Sequence, residues 1–157
     1  MKIKLLVVGK TDDKRIQSLI DDYTNRLKHY IPFVLEVIPD IKNVKKLSME
    51  QQKTKEGELI LSKTTSADRL ILLDEKGKEF SSMNFSKYIQ KHMNSGVKQV
   101  IFVVGGPYGF SKDVYAKAQG KISLSQMTFS HQMIRLFFTE QIYRAFTILK
   151  NEPYHHE

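Results

Sequence analysis

The residues best suited to holding a ligand lie in QVIFVVGGPYGF, Gln99 to Phe110. Val100, Ile101, Phe102, Val103 and Val104 are β-branched or aromatic and do not alternate with polar residues, as in a strand buried on both faces. Gly105 and Gly106 carry no Cβ, so the chain can bend sharply there or let a ligand press against its backbone. Pro107 fixes φ, and Gly109 permits a second change of direction. Ser111 caps a helix that continues through Lys112, Asp113, Val114 and Tyr115. A buried strand, a glycine turn and a helix start describe a ligand edge of an α/β sheet. A tight strand–helix connection with no ligand fits the same residues equally well. Two nucleotide motifs are excluded. The turn is not G-x-G-x-x-G, and GFSK does not supply the G-K-[ST] of a P-loop. No metal site is expected: there are 0 cysteines, and the adjacent His155 and His156 lack the spacing and rigid support of ligands.

Alternating strands and helices must position this turn. IKLLVVG reads as a strand, and DDKRIQSLIDDYTNRLKHY as an amphipathic helix with acids in its first turn. FVLEVIPD is a second strand. SMEQQKTKEGELILSK is a helix whose Ser48 and Gln51 are spaced as a capping box. RLILLDEKG is a buried strand ending at a turn, and MNFSKYIQKHMNSG a helix closed by Gly96. After QVIFVV and its short helix come a strand, KISLSQ, and a long helix from about His131 to Lys150. The pattern predicts one α/β domain over residues 1–157, with a mostly parallel sheet and helices on both faces.

The last helix is apolar most of the way round. Ile134, Phe137, Phe138, Ile142, Ala145, Phe146 and Leu149 form one stripe, extended by Met133, Leu136, Tyr143 and Ile148. Cover on two sides is expected, with a homodimer partner as the second cover and a central helix in a monomer as the alternative. Lys and Arg total 25 against 17 acids, a net charge of +8, which points to a polyanionic partner such as nucleic acid or the ribosome. No run approaches the roughly 20 apolar residues of a membrane span, and the opening MKIKLLVVGK is too short for a signal peptide. No membrane partner is expected, and the cytoplasm is the default.

Three motifs occur in order: GGPYGF, ISLSQMTFSHQMIR and EQIYRAFTILKNEPYHHE. With the opening VVGK and LILLDEKG, they make the whole chain resemble the RlmH family. Its members are SPOUT-class methyltransferases of bacterial large-subunit ribosomal RNA. The resemblance implies an α/β fold with a C-terminal trefoil knot, a homodimer, and S-adenosyl-L-methionine as cofactor. The implied reaction is methyl transfer to N3 of pseudouridine 1915, in the usual 23S rRNA numbering, within the assembled ribosome. It also implies that Leu73, Gly105, Leu124, Ser125, Gln126, Met127, Thr128 and Phe129 bind the cofactor.

The sulfonium carries the activation in such a reaction, so the protein aligns the methyl group and handles one proton. A base, or positive charge near the developing anion, would help. The candidates that the resemblance brings forward are His131, Arg144, Tyr154 and His155. Arg135, Arg144, Tyr154 and His155 are the candidates for RNA contact. Each has a plainer reading: His131 as a capping residue, Arg135 and Arg144 as surface charges, with Arg144 paired to Glu140. The tail after Pro153 is expected to project as an extended arm and to complete the partner subunit's site. Two positions depart from the family pattern: Ser130 stands where proline is common, and His156 where Arg or Lys is. Two other classes fit parts of the chain, a non-catalytic RNA-binding protein on the same fold and a nucleotide-dependent oxidoreductase. Affinity for S-adenosylmethionine separates the first, and the missing fingerprint argues against the second.

Overall fold

In the computed structural model, which describes residues 1–156, five strands form one parallel sheet; Glu157, the end of the tail motif, lies outside the described residues. They are β1 (Lys2–Val8), β2 (Phe33–Ile38), β3 (Arg69–Glu79), β4 (Gln99–Val104) and β5 (Gly120–Ser123), in the order β2-β1-β4-β3-β5. The helices are α1 (Lys14–Leu27), α2 (Met49–Ser62), α3 (Ser82–Asn94), α4 (Lys112–Lys117) and α5 (Met133–Leu149). Side chains alternate across a strand, so parity divides the core. Ile3, Leu5, Val7, Ile71, Val100, Phe102 and Val104 face Leu27, Phe85, Phe138 and Phe146 of α1, α3 and α5. Leu6, Leu70, Leu72, Ile101 and Val103 face Ile60 of α2 and Val114 of α4. Helices therefore cover both faces, and β4 is buried on each, as its unbroken apolar run requires. No helix among the described residues is long and apolar enough to cross a membrane.

Local signals set the boundaries. Ser48 and Gln51 form the capping box, with Ser48 N donating to Gln51 Oε1 at 2.9 Å and Gln51 N to Ser48 Oγ at 3.1 Å. Gly96 follows the last residues of α3 with φ +76°, the left-handed conformation that ends a helix. The start of α1 differs from expectation. Asp13 is its N-cap, accepting from Arg15 N at 2.8 Å, so the acids precede the first turn. β3 does not end at DEKG but runs on to Glu79, with a register shift against β5 between Leu73 and Lys78. Gly77 sits in that irregularity, where a Cβ would lie 2.5 Å from the backbone of Ile122. Only a bare backbone lets β5 approach so closely. β5 itself stops at Ser123 rather than continuing to Gln126, because Ser123 Oγ turns to donate to Ser125 O at 2.8 Å.

The structure also bears on two longer-range expectations. α5 packs against both α1 and α3 over the sheet, so most of its apolar circumference is covered within the chain. The tail does not project as an extended arm. Asn151 takes φ +55°, Glu152 N donates to Thr147 O at 2.9 Å, and Tyr154 folds back against Tyr143 with ring centroids 4.8 Å apart.

Candidate functional site

A cleft of about 560 Å³ opens beside the register shift of β3 and the C-terminal ends of β4 and β5. Parallel strands place their outgoing loops on one edge, and the loops after β4 and β5 wall this cleft together with Leu73 to Lys76, the irregular middle of β3. Leu73, at the register shift of β3, and Val104, the last residue of β4, lie in its floor with Ile122, Leu124, Phe129 and Ile134. Asp74, Glu75, Lys76, Tyr108 and Tyr115 supply a polar rim. Tyr115 donates its hydroxyl to Asp74 in a short hydrogen bond, and Lys76 N donates to Asp74 Oδ1 at 2.8 Å. Burial first, then Asp74, pushes the Tyr115 hydroxyl up to about 12, so it stays protonated at neutral pH.

The glycine turn is packed from below by the protein itself. A Cβ on Gly105 would meet the Phe110 ring at 3.1 Å. A Cβ on Gly106 would lie 2.1 Å from Glu56 Oε2, so the buried Glu56 side chain would have to move. Glu56 of α2 is 4 % exposed; its Oε1 accepts from Gln52 Nε2 at 2.9 Å, while Oε2 is buried with no partner. Burial raises the Glu56 carboxyl above its ordinary value; Asp40 adds to the rise, while Gln52 and His131 oppose it. Gly109, with φ +80°, closes the turn by donating N–H to Gly106 O at 3.1 Å. Gly106 is thus required by a neighbour that its own stretch of sequence does not reveal.

The loop after β5 forms the third wall. Leu124, Ser125, Met127, Thr128 and Phe129 line the cleft with Leu73 and Gly105, whereas Gln126 is exposed and is not a lining residue. Ser125 Oγ accepts from Met127 N at 3.0 Å, and Ser130 Oγ accepts from Met133 N at 3.1 Å. Ser130 therefore caps the turn leading into α5, a bond that proline there could not accept. His131 is exposed and lines the cleft.

Arg135 is a correction to the surface-charge and RNA-contact readings. It is 1 % exposed, and its guanidinium donates Nη1 to Gly9 O at 2.9 Å and to Thr11 Oγ1 at 3.1 Å, and Nη2 to Val8 O at 2.9 Å. It clasps the end of β1 to the first turn of α5 and presents no charge to RNA. Gln132 adds to the clasp by accepting from Asp12 N at 2.8 Å.

Arg144, Tyr154 and His155 gather with Glu140 in a second cluster. Arg144 donates Nε and Nη2 to Glu140 Oε1 at 3.1 and 2.6 Å, and Tyr154 donates its hydroxyl to the same oxygen at 3.0 Å. The Arg144 guanidinium also lies 4.9 Å from the Tyr154 ring centroid. Arg144 Nη1 is 3.2 Å from His155 Nδ1. Arginine can only donate, so Nδ1 accepts and the neutral ring carries its proton on Nε2. Burial, followed by Tyr23 and Glu140, holds the Tyr154 hydroxyl well above the usual phenol range. The Glu140 carboxylate is thus the acceptor that gathers the Arg144 and Tyr154 donors. Arg144 lies ten residues beyond Ile134 of the cleft, about 15 Å along the helix at about 1.5 Å per residue. One chain therefore does not bring His131 and the tail together.

Sequence reasoning missed Glu56, Asp74 and Tyr115. The Ser111 cap could have found Tyr115, since it fixes the register of α4; nothing local marks Glu56. Among the described residues no group of three or more His, Asp or Glu gathers as a metal site would require. The cleft does suit a nucleoside-sized cofactor. Its volume falls within the roughly 300–1,000 Å³ of small-molecule sites, and its apolar floor adjoins the glycine turn. The family described as predicted SPOUT methyltransferase matches residues 1–155. Proteins named ribosomal RNA large subunit methyltransferase H from Flavobacterium johnsoniae and Flavobacterium psychrophilum are 70% and 71% identical over 157 residues, covering all of both chains. The protein of that name from Parabacteroides distasonis is 67% identical, again over the full length of both.

Proposed function

Because the chain belongs to the SPOUT methyltransferase family, we propose that it methylates large-subunit ribosomal RNA, using S-adenosylmethionine bound in the cleft. The finer assignment is N3 of a pseudouridine, the base implied for the RlmH family, on the assembled ribosome and by a homodimer. Family membership also carries the expectation of a C-terminal trefoil knot. The observation behind the reading is full-length identity of 70% to a protein with that printed name, together with a cleft walled by Leu73 to Lys76 of β3 and the loops after β4 and β5.

The cofactor, when bound, supplies an electrophilic methyl group on a sulfonium. Leu73, Leu124, Met127 and Phe129 provide apolar walls for its adenine and exclude water, while the backbone of Gly105 to Pro107 takes its polar edges. The Tyr115 hydroxyl, kept protonated, fixes Asp74 at the rim. At the RNA base, N3 gains the methyl group and loses its proton, so negative charge spreads onto the flanking ring oxygens before transfer. His155 Nε2–H and the Arg144 guanidinium are donors suited to that charge. Tyr154 holds Arg144 and Glu140 in place and, with its hydroxyl pK raised, takes no proton itself. The N3 proton leaves to solvent or to His131, the exposed imidazole in the cleft.

A dimer accounts for the separation along α5, since the tail of one chain can reach the partner's cleft. The apolar groove of Phe80, Phe85, Leu124, Phe129, Phe137 and Phe138 beside the cleft favours such a partner, with Phe137 40 % exposed. The deciding experiment is mass spectrometry of large-subunit rRNA from a deletion strain. One methyl group should disappear from a pseudouridine and return on complementation; an unchanged modification pattern would reject the assignment.

A further inference from the structure

The loop between β2 and α2 carries Lys42, Lys45 and Lys46 within five residues, all exposed. Asn43 holds φ +59° and turns the chain into a short 3-10 turn, Val44–Lys46, that buries none of its residues. Left-handed backbone at a residue other than glycine is uncommon, so this turn has a defined shape without a packing reason for it. Six ion pairs form among the described residues, and none engages these three lysines. Of the nearest acids in sequence, Glu50 pairs with Lys53 at 2.7 Å, and Asp40 forms no ion pair with any of the three. The three charges therefore have no internal use.

Their position gives them one. β2 is parallel to its neighbours, so the loop leaves the same sheet edge as the cleft. Met49 begins α2, is 60 % exposed and lines the cleft. Lys46 is three residues before it, at most about 10 Å of chain. A base entering the cleft for methylation brings its own phosphates to the mouth, since flipped or single-stranded nucleotides stay attached on both sides.

We infer that Lys42, Lys45 and Lys46 form a phosphate-binding shoulder at the cleft mouth, which grips the RNA backbone next to the nucleotide being methylated. The inference rests on the rRNA reading above. RNA is favoured over an acidic protein because phosphates must lie at this mouth whenever the cleft holds a nucleotide.

The test compares the wild-type protein with the triple variant Lys42→Ala/Lys45→Ala/Lys46→Ala on purified ribosomes across a KCl series. Each phosphate contact contributes about 0.7–0.9 to the slope of log K against log[salt]. Loss of three should flatten the slope by about 2 to 3, while the triple Lys→Arg variant keeps it. Affinity for S-adenosylmethionine, read by calorimetry, should stay within about twofold, because none of the three lines the cleft. A photo-crosslinker placed at position 45 should label rRNA. An unchanged slope in the alanine variant overturns the inference, as does labelling of a ribosomal protein instead of RNA. Loss of cofactor affinity in that variant would overturn the shoulder as separate from the cleft. If the wild-type protein binds neither ribosomes nor rRNA, the rRNA reading itself fails.

Discussion

Replacing Arg135 by Lys separates the buried-clasp role from an RNA contact, because the charge is retained and the fork is lost. In the folded chain two nitrogens of Arg135 serve three acceptors, the carbonyls of Val8 and Gly9 and the hydroxyl of Thr11. An ammonium is a single point, and from its place at the end of a shorter stem it can satisfy one of the two carbonyls. A hydrogen bond to a charged group contributes about 1.5–3 kcal/mol, and the orphaned carbonyl lies where water has little access. No relief comes from desolvation, since a cation remains buried. The expected loss is therefore about 2–3 kcal/mol. With a urea slope of about 2 kcal/mol/M, the unfolding midpoint should fall by about 1 M.

The same change should act on the cleft only indirectly. Arg135 and Gln132 tie α5 to the β1–α1 loop, and the residues just before Arg135 place His131 and Ile134 in the cleft. A looser clasp should weaken cofactor affinity a few fold while leaving the salt dependence of ribosome binding alone. Urea unfolding followed by circular dichroism reads the first effect, and a KCl series reads the last. A loss below about 0.5 kcal/mol combined with a flattened salt slope would refute the clasp and return Arg135 to the RNA.

Three further outcomes follow from the packing of the cleft and the tail. Glu56→Gln should be more stable than wild type at pH 7. The folded carboxyl titrates above its ordinary 4.5, so its stabilising proton is fully bound below that pH and lost as pH rises through the raised value; the two proteins should converge in urea unfolding near pH 4.5, and a gap that widens on acidification would contradict this. Gly106→Ala should be costly alone but milder in a Glu56→Ala background, with a coupling above about 0.5 kcal/mol in a double-mutant cycle; additive effects would mean that the two residues do not press on each other. Removing the tail from Tyr154 onward should leave cofactor affinity intact and nearly abolish methyl transfer, and pairing such a chain with a Gly105→Val chain should recover one working site per dimer. Full activity of the tail-less homodimer would dismiss the donor cluster, and inactive mixed dimers would argue against action across the interface.

The strands, the helices and their layering were legible because each depends on residues adjacent in sequence. Val100 to Val104 must be buried on both faces whatever surrounds them, and Ser48 and Gln51 cap a helix that their own spacing defines. What escaped depends on contacts between distant positions. Arg135 reads as a surface charge until the end of β1, 126 residues away, offers it carbonyls. The apolar girth of α5 called for cover on two sides, and α1 and α3, distant in sequence, supply much of it while Phe137 stays exposed. The resemblance supplied the cofactor loop, and six of the seven named residues other than Gly105 do line the cleft; Gln126 shares only their sequence neighbourhood.

The glycine turn shows how a motif can point to a cleft for an incomplete reason. Gly105 and Gly106 were read as room for a ligand, and they do lie in the cleft wall. Yet the atoms a Cβ would strike are Phe110 and Glu56, on the protein's own side of the turn. The missing side chains let α2 support the loop closely enough to hold its backbone in one shape, which on the proposed reading the cofactor would meet from the other side. A buried carboxyl with an unpaired oxygen is an expensive support. Its cost is tolerable if the turn must be rigid before the ligand arrives, because ordering a loop at the moment of binding would subtract directly from affinity. Glu56→Ala should thus free strain and raise stability while weakening S-adenosylmethionine binding, a divergence that simple core packing would not produce.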